Sequence, residues 1–238
     1  MSTDPFSHPW LSGLFKAPDI EPLWSTKAQI DHLIEFEIAW TQGLATIGHI
    51  SESEAKAALL MLAKWKPDYE KLKSATALDG VVIPELVQQI TKDLVAPQAV
   101  HTGATSQDVI DSALALTLRE ISAKIISNLS SITTSLIELS QTHGRKKIMG
   151  KTRMQDALLI SVSHKIQTWI DPLIEFGCEG KAHKLPIQIG GAVGDNQALK
   201  EQSEKMTLFV SDKLNLPAQS ASWHTNRNKV VSFAGWIT

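Results

Sequence analysis

The sequence holds one cysteine, Cys178, so no intrachain disulfide can form and a stapled, secreted miniprotein is excluded. No apolar stretch approaches the roughly 18 residues that a membrane-spanning helix needs, because polar residues interrupt every hydrophobic run. Neither sign of charge dominates: 23 Lys and Arg stand against 25 Asp and Glu, and no block of five like charges offers a face to a nucleic-acid backbone. The opening MSTDPFSHPW lacks a basic stretch followed by an apolar one, so no secretory leader is expected. The reading is a cytoplasmic protein without membrane or nucleic-acid partners. Glycine and proline are scarce, at 13 and 10 of 238 residues, and with 43% hydrophobic residues the composition is that of a folded globular chain. Walker, GxGxxG, GxSxG, HxxxH and CxxC patterns are all missing, and His32, His49, His143 and His164 stand singly, so neither a cofactor nor a metal is expected.

What is there is helical periodicity. Ser25 introduces Ile30, Leu33, Ile34, Ile38 and Ala45, spaced by threes and fours, and Gly48 ends the run. Ser51 with its following acids opens a second helix that lasts until Pro67, Asp79–Pro84 reads as a loop, and Glu85–Leu94 as a shorter helix. Beyond Pro97 the texture changes. Residues 107–142 contain neither Gly nor Pro and predict a helix of roughly 54 Å. Its apolar seam, Leu114, Leu118, Ile121, Ile125, Leu129, Ile132, Leu136 and Leu139, is that of a helix packed lengthwise on others. A basic turn, GRKKIMG, separates it from a second long helix, marked from Met154 to Leu173 and kinked at Pro172. GGAVGDN opens a third helix and Ser222 a fourth, which keeps its period to Thr238. The predicted fold is all-α, with a small N-terminal helical domain over residues 1–100 and long antiparallel bundle helices over 101–238.

Three constellations carry chemistry. His101-Thr-Gly-Ala-Thr-Ser-Gln-Asp108 puts two hydroxyls, Thr105 and Ser106, at the amino end of the longest helix. Free amides and the helix dipole there suit a substrate carboxylate, with His101 as neighbouring donor or proton carrier; plain N-capping is the alternative. Lys151-Thr-Arg-Met-Gln155 opens the next helix, where Thr152 caps, Arg153 grips a carboxylate and Gln155 assists, or where the whole is a solvated basic turn. Trp223-His-Thr-Asn-Arg227 pairs an aromatic wall with His224 and an arginine on the same helical face. GGAVGD reads as a phosphate-type loop or, with no strand before it, a close helix-entry turn.

Taken together, HTGATSQDVIDSA, GKTRMQDA, GGAVGD and WHTNR, in this order and joined by long helices, resemble the fumarase/aspartase superfamily. Within it the 3-carboxy-cis,cis-muconate cycloisomerase family is the most similar and the adenylosuccinate lyases come next. The resemblance implies an elongated helical bundle and a homotetramer whose active sites are shared between subunits. It also implies a small polycarboxylate substrate and cofactor-independent lactonisation of carboxymuconate to 4-carboxymuconolactone in protocatechuate breakdown, the beta-ketoadipate pathway. It assigns catalysis to His101, Thr105, Ser106 and His224, and substrate binding to Thr152, Arg153, Gln155, Trp223 and Arg227. Arg153 stands where many superfamily lyases carry His, which favours the cycloisomerases. The superfamily's Gly-Ser-Ser signature loop with its Met-Pro and Lys is not among these residues, and the last periodic segment has no cap. The expectation is therefore an N-terminal domain plus the first part of the bundle, with activity residing in a longer parent. A fumarate-releasing lyase and a non-catalytic helical assembly module are the competing expectations.

Overall fold

The computed structural model describes residues 4–238; Met1–Thr3, part of the opening read above for a leader, lie outside the described residues. Two compact units are present, one formed by the chain up to Arg119 with Lys184–Val230, the other by Glu120–His183 with Val231–Thr238.

The first unit begins with a short helix α1 (Ser12–Phe15) and then α2 (Thr26–Thr46), which Ser25 caps by accepting the Ala28 N–H. Helix α3 (Glu52–Lys64) starts with a reciprocal capping box, in which Ser51 and Glu54 each accept the other's backbone N–H. Helix α4 (Tyr69–Asp79) was not expected from the sequence. It is capped by Asp68, stopped by left-handed Gly80, and buries only Leu72, too thin an apolar stripe to announce itself. Helix α5 (Ile83–Thr91) completes the set, with Pro84 in its first turn and Ile83, Leu86 and Ile90 fully buried. Trp40 and Phe36 of α2 stack at 5.6 Å in the middle of this core. Helix α8 (Ser203–Leu214) crosses α2 at Gly43, where any side chain would collide with Met206. Charged side chains hold two helix ends: Lys205 donates to the Thr46 carbonyl at 3.0 Å and Arg119 to the Leu214 carbonyl at 2.5 Å.

The longest element is α6 (Ser106–His143), 38 residues or about 57 Å. Its first half is buried nearly all round, from Val109 to Leu118, whereas Ile132 and Leu139 of the expected seam are half exposed.

The second unit departs from the expectation of helices alone. Strands β1 (Lys147–Thr152) and β2 (Gln155–Ser161) form an antiparallel hairpin where the sequence predicted a basic turn and the start of a long helix. Arg153 and Met154 make its two-residue turn with φ of 45° and 67°, both left-handed, as a type I′ turn requires. The apolar spacing of Leu158 and Val162 fits a strand followed by a helix as well as one continuous helix. The cap decides between them, because Ser161 accepts the His164 N–H and starts α7 (Val162–Ala182) there. Pro172 lies inside α7. Helix α9 (Asn228–Ile237) begins six residues after the predicted start at Ser222 and brings Trp236 onto the Phe176 ring at 5.0 Å. Gly180 is buried beneath that indole, with no room for a Cβ. The fold is mostly helical, with this one small sheet among the described residues.

Candidate active site

The site in the first unit is organised by buried carboxylates. Three side chains on one face of α2, spaced i, i+3 and i+4, grip the segment before α6. Glu37 Oε1 lies 2.6 Å from His101 Nδ1, Trp40 Nε1 donates to the Thr102 carbonyl at 2.9 Å, and Thr41 Oγ1 donates to the Ala99 carbonyl at 2.9 Å. Held this way, His101 takes a left-handed φ of 65° and Gly103 follows at 84°, a turn closed by the Ala104 N–H on the His101 carbonyl. Such a backbone at a non-glycine residue costs of order 1–3 kcal/mol and persists only where the surroundings impose it.

The turn delivers the chain to the amino end of α6. Thr105 occupies the cap position, yet the cap is made in reverse: Asp108 Oδ2 accepts the Thr105 N–H at 3.0 Å. The hydroxyls of Thr105 and Ser106 make no hydrogen bond among the described residues. Both residues are half-buried, so the two hydroxyls remain free donors at the positive end of a long helix.

Asp108 is fully buried and is the hub. Besides Thr105 it accepts the Gly190 and Gly191 N–H groups at 2.8 and 3.0 Å, and its Oδ1 lies 3.0 Å from His224 Nε2. The GGAVGD loop thus does embrace an anion, and that anion is the protein's own. The segment opens no helix, because Gly191, Gly194 and Asn196 all have positive φ and α8 waits until Ser203. Gly190 is required by crowding, since a Cβ there would sit 2.7 Å from Ser222 Oγ and 3.0 Å from His224 Cε1.

Residues 222–227 are a loop and not the helix expected, but the loop still brings Trp223 and Arg227 together. The Arg227 guanidinium stacks 4.9 Å above the Trp223 ring and makes a fork of 2.7 and 2.8 Å bonds to buried Asp111, one turn along α6 from Asp108. Trp223 is buried, its N–H groups donating to Gln188 Oε1 and to the Ile187 carbonyl. Gln188 is itself clamped between Ser112 and Ser222. Asp108, Asp111 and Ser112 therefore form one polar face of α6 that fixes both loops.

Two imidazoles, His101 and His224, each rest on a buried carboxylate and keep 19% and 18% of their side chains exposed. Burial pushes the His101 imidazolium down, but the hydrogen bond and charge of Glu37, with the charge of Asp108, more than offset it and hold its pKa above the ordinary histidine value. Hydrogen bonding to Asp111 raises Arg227 further still, keeping it charged.

The second motif lies elsewhere. Thr152, Arg153 and Gln155 are at the exposed tip of the hairpin in the second unit, with Thr152 paired to Gln155 and therefore not capping a helix. A cavity of about 560 Å³ beside them is lined by Lys151, Thr152, His164, Lys165 and Thr168 along with apolar strand residues. Local sequence does not mark Glu37, Asp111, Ser112 and Gln188 as functional, and it marks Asp108 only as the end of the HTGATSQD run. The one available signal was the i, i+3 spacing of Asp108 and Asp111 directly behind the hydroxyls.

Comparison with known proteins meets this geometry. The profile of the family described as Lyase matches residues 15–238. The curated 3-carboxy-cis,cis-muconate cycloisomerase of Acinetobacter baylyi is 30% identical, covering 94% of this chain and 52% of that protein. The crystal structure of beta-carboxy-cis,cis-muconate cycloisomerase from Acinetobacter calcoaceticus sp. ADP1 matches with a TM-score of 0.85 at 29% identity, covering 93% of this chain and 54% of that one. Fumarate lyase from Mesorhizobium sp. BNC1 gives 0.86 at 26% identity, over 92% and 53%. The chain spans about half the length of the curated relatives it matches. With a profile match across nearly its whole length and the fold of a solved cycloisomerase and a solved fumarate lyase, this chain belongs to the lyase family.

Proposed function

We propose that the protein of which this chain forms part lactonises 3-carboxy-cis,cis-muconate to 4-carboxymuconolactone without a cofactor, as an intramolecular lyase. The observation that carries the reading is the pair of carboxylate-backed imidazoles next to two unbonded hydroxyls at the amino end of α6. The likeness to a curated enzyme named for this reaction supports the substrate.

In the proposed reaction a carboxylate oxygen of the substrate adds to a double bond of the same molecule. The π electrons move to the neighbouring carbon and its carboxylate, and a proton delivered to that carbon completes the lactone. Negative charge builds on that carboxylate as an aci-type intermediate. Thr105, Ser106 and the first amides of α6 are its donors, each worth about 3 kcal/mol of barrier. His101 supplies the proton, with His224 as the second candidate. Thr152, Arg153 and Gln155, brought by a neighbouring subunit, hold the remaining carboxylates, and Arg227, fixed on Asp111 over the Trp223 ring, orients them. Folding the substrate so that oxygen and alkene carbon touch contributes several kcal/mol through orientation, of order 5 or more.

The wider assignment is a cytoplasmic homotetramer of the beta-ketoadipate pathway with sites shared between subunits, residues 1–100 forming its N-terminal domain and 101–238 the first part of its bundle. The test is to add carboxymuconate to the purified protein and follow the ultraviolet absorbance of the conjugated diene. Loss of absorbance with lactone formed is expected. Fumarate released from adenylosuccinate, with the muconate untouched, overturns the reading.

A further inference from the structure

Glu37 has no place in the proposed chemistry, yet it is fully buried, and its Oε1 has His101 as its hydrogen-bond partner at 2.6 Å. Its second oxygen, Oε2, is also buried and makes no hydrogen bond among the described residues. A carboxylate out of water with one cationic neighbour depends on that neighbour for its charge balance. An ionised carboxylate only accepts, so the 2.6 Å contact assigns the proton to Nδ1 of His101 and leaves Nε2 as the other nitrogen of a ring still 19% exposed. Trp40 and Thr41 anchor the flanking carbonyls from the same helix face, so the ring and the carboxylate cannot drift apart separately.

From this we infer that Glu37 is a positioning residue for His101, fixing the Nδ1–H tautomer and aiming Nε2 as the proton-transferring nitrogen. The inference rests on the proposed function for the identity of the reaction, not for the state of the histidine. The charged groups facing His101 are Glu37 from α2 and Asp108 from α6, the latter bound in turn by His224 of the 222–227 loop. Replacing Glu37 alone leaves Asp108 and its donors in place, and this isolates the contribution.

The experiment is nitrogen and carbon NMR of the histidine rings in the 238-residue chain and in Glu37→Gln, with His101→Gln to assign the signal. In the wild type the neutral ring of His101 is expected to carry its proton on Nδ1. In Glu37→Gln its titration midpoint is expected to fall, and in the protein turning over carboxymuconate kcat falls on the order of 10²-fold with KM little changed. The pH–rate limb assigned to His101 moves in the same direction. Glu37→Asp, which keeps the charge and shortens its reach, gives an intermediate shift and serves if the glutamine variant does not fold. An unmoved His101 midpoint, or a neutral ring protonated on Nε2 in the wild type, overturns the inference. Failure of the functional reading looks different: the ring signals move as stated and no lactone forms from any variant.

Discussion

His224 Nε2 stands 3.0 Å from Asp108 Oδ1, across 116 residues of sequence, and the same carboxylate gathers the amides of Gly190, Gly191 and Thr105. Three chain segments far apart in sequence thus close on one buried oxygen pair. Replacing Asp108 by Asn removes the charge and sets an NH2 group against N–H donors, so Asp108→Asn is expected to lower unfolding free energy by about 3 kcal/mol. Urea unfolding measures this, and amide exchange at Gly190 and Gly191 is expected to accelerate alongside it. A loss below about 1 kcal/mol would contradict the hub assignment.

Arg227 grips Asp111 with both terminal nitrogens and covers the Trp223 ring. Lysine keeps the charge but loses the fork and the flat stacking surface, so Arg227→Lys is expected to cost about 2 kcal/mol. Arg145→Lys, on the exposed turn before β1, serves as the control and is expected to stay within about 0.5 kcal/mol. Equal effects of the two substitutions would deny Arg227 its structural role.

The pH dependence has a definite sign. His101 is held above its reference value of 6.5 in the folded chain, so the stability it contributes is fully present below pH 6.5 and is lost as the pH rises through its folded value. Unfolding free energies measured from below 6.5 upward are expected to decline through that window, and Glu37→Gln to flatten the decline. A stability that climbs across the same window would be the wrong sign.

At the hairpin tip Met154 is 91% exposed and carries a φ of 67°. Glycine takes that conformation without steric cost, so Met154→Gly is expected to tighten the hairpin by up to about 1 kcal/mol. Slower hydrogen exchange of the β1 and β2 amides, by about fivefold, is the readout. Faster exchange would show that the turn is not strained.

The helices that were readable in the sequence carry their own local signals. Ser25 and Ser51 cap the helices they were expected to cap, and α6 begins and ends within one residue of the uninterrupted run predicted for it. The hairpin hid because its turn is Arg-Met and not the Asn-Gly that usually marks a left-handed pair, while Leu158 and Val162 satisfy a helical period equally well. The candidate histidines and hydroxyls stood out by type. The residues that hold them did not, because a Glu at position 37 or an Asp at 108 or 111 on a helix ordinarily reads as a solvated face. Their partners lie 64 to 116 residues away, a distance no local pattern reports.

The grip of Glu37, Trp40 and Thr41 on Ala99, His101 and Thr102 leaves that short stretch no slack. Inserting or deleting one amino acid there would put all three bonds out of phase together and swing the imidazole away from its acid. The loop is in effect a fixed-length ruler laid along α2. Descendants of this chain that keep His101 can exchange Thr102, of which only the carbonyl is gripped, but cannot add or drop a residue.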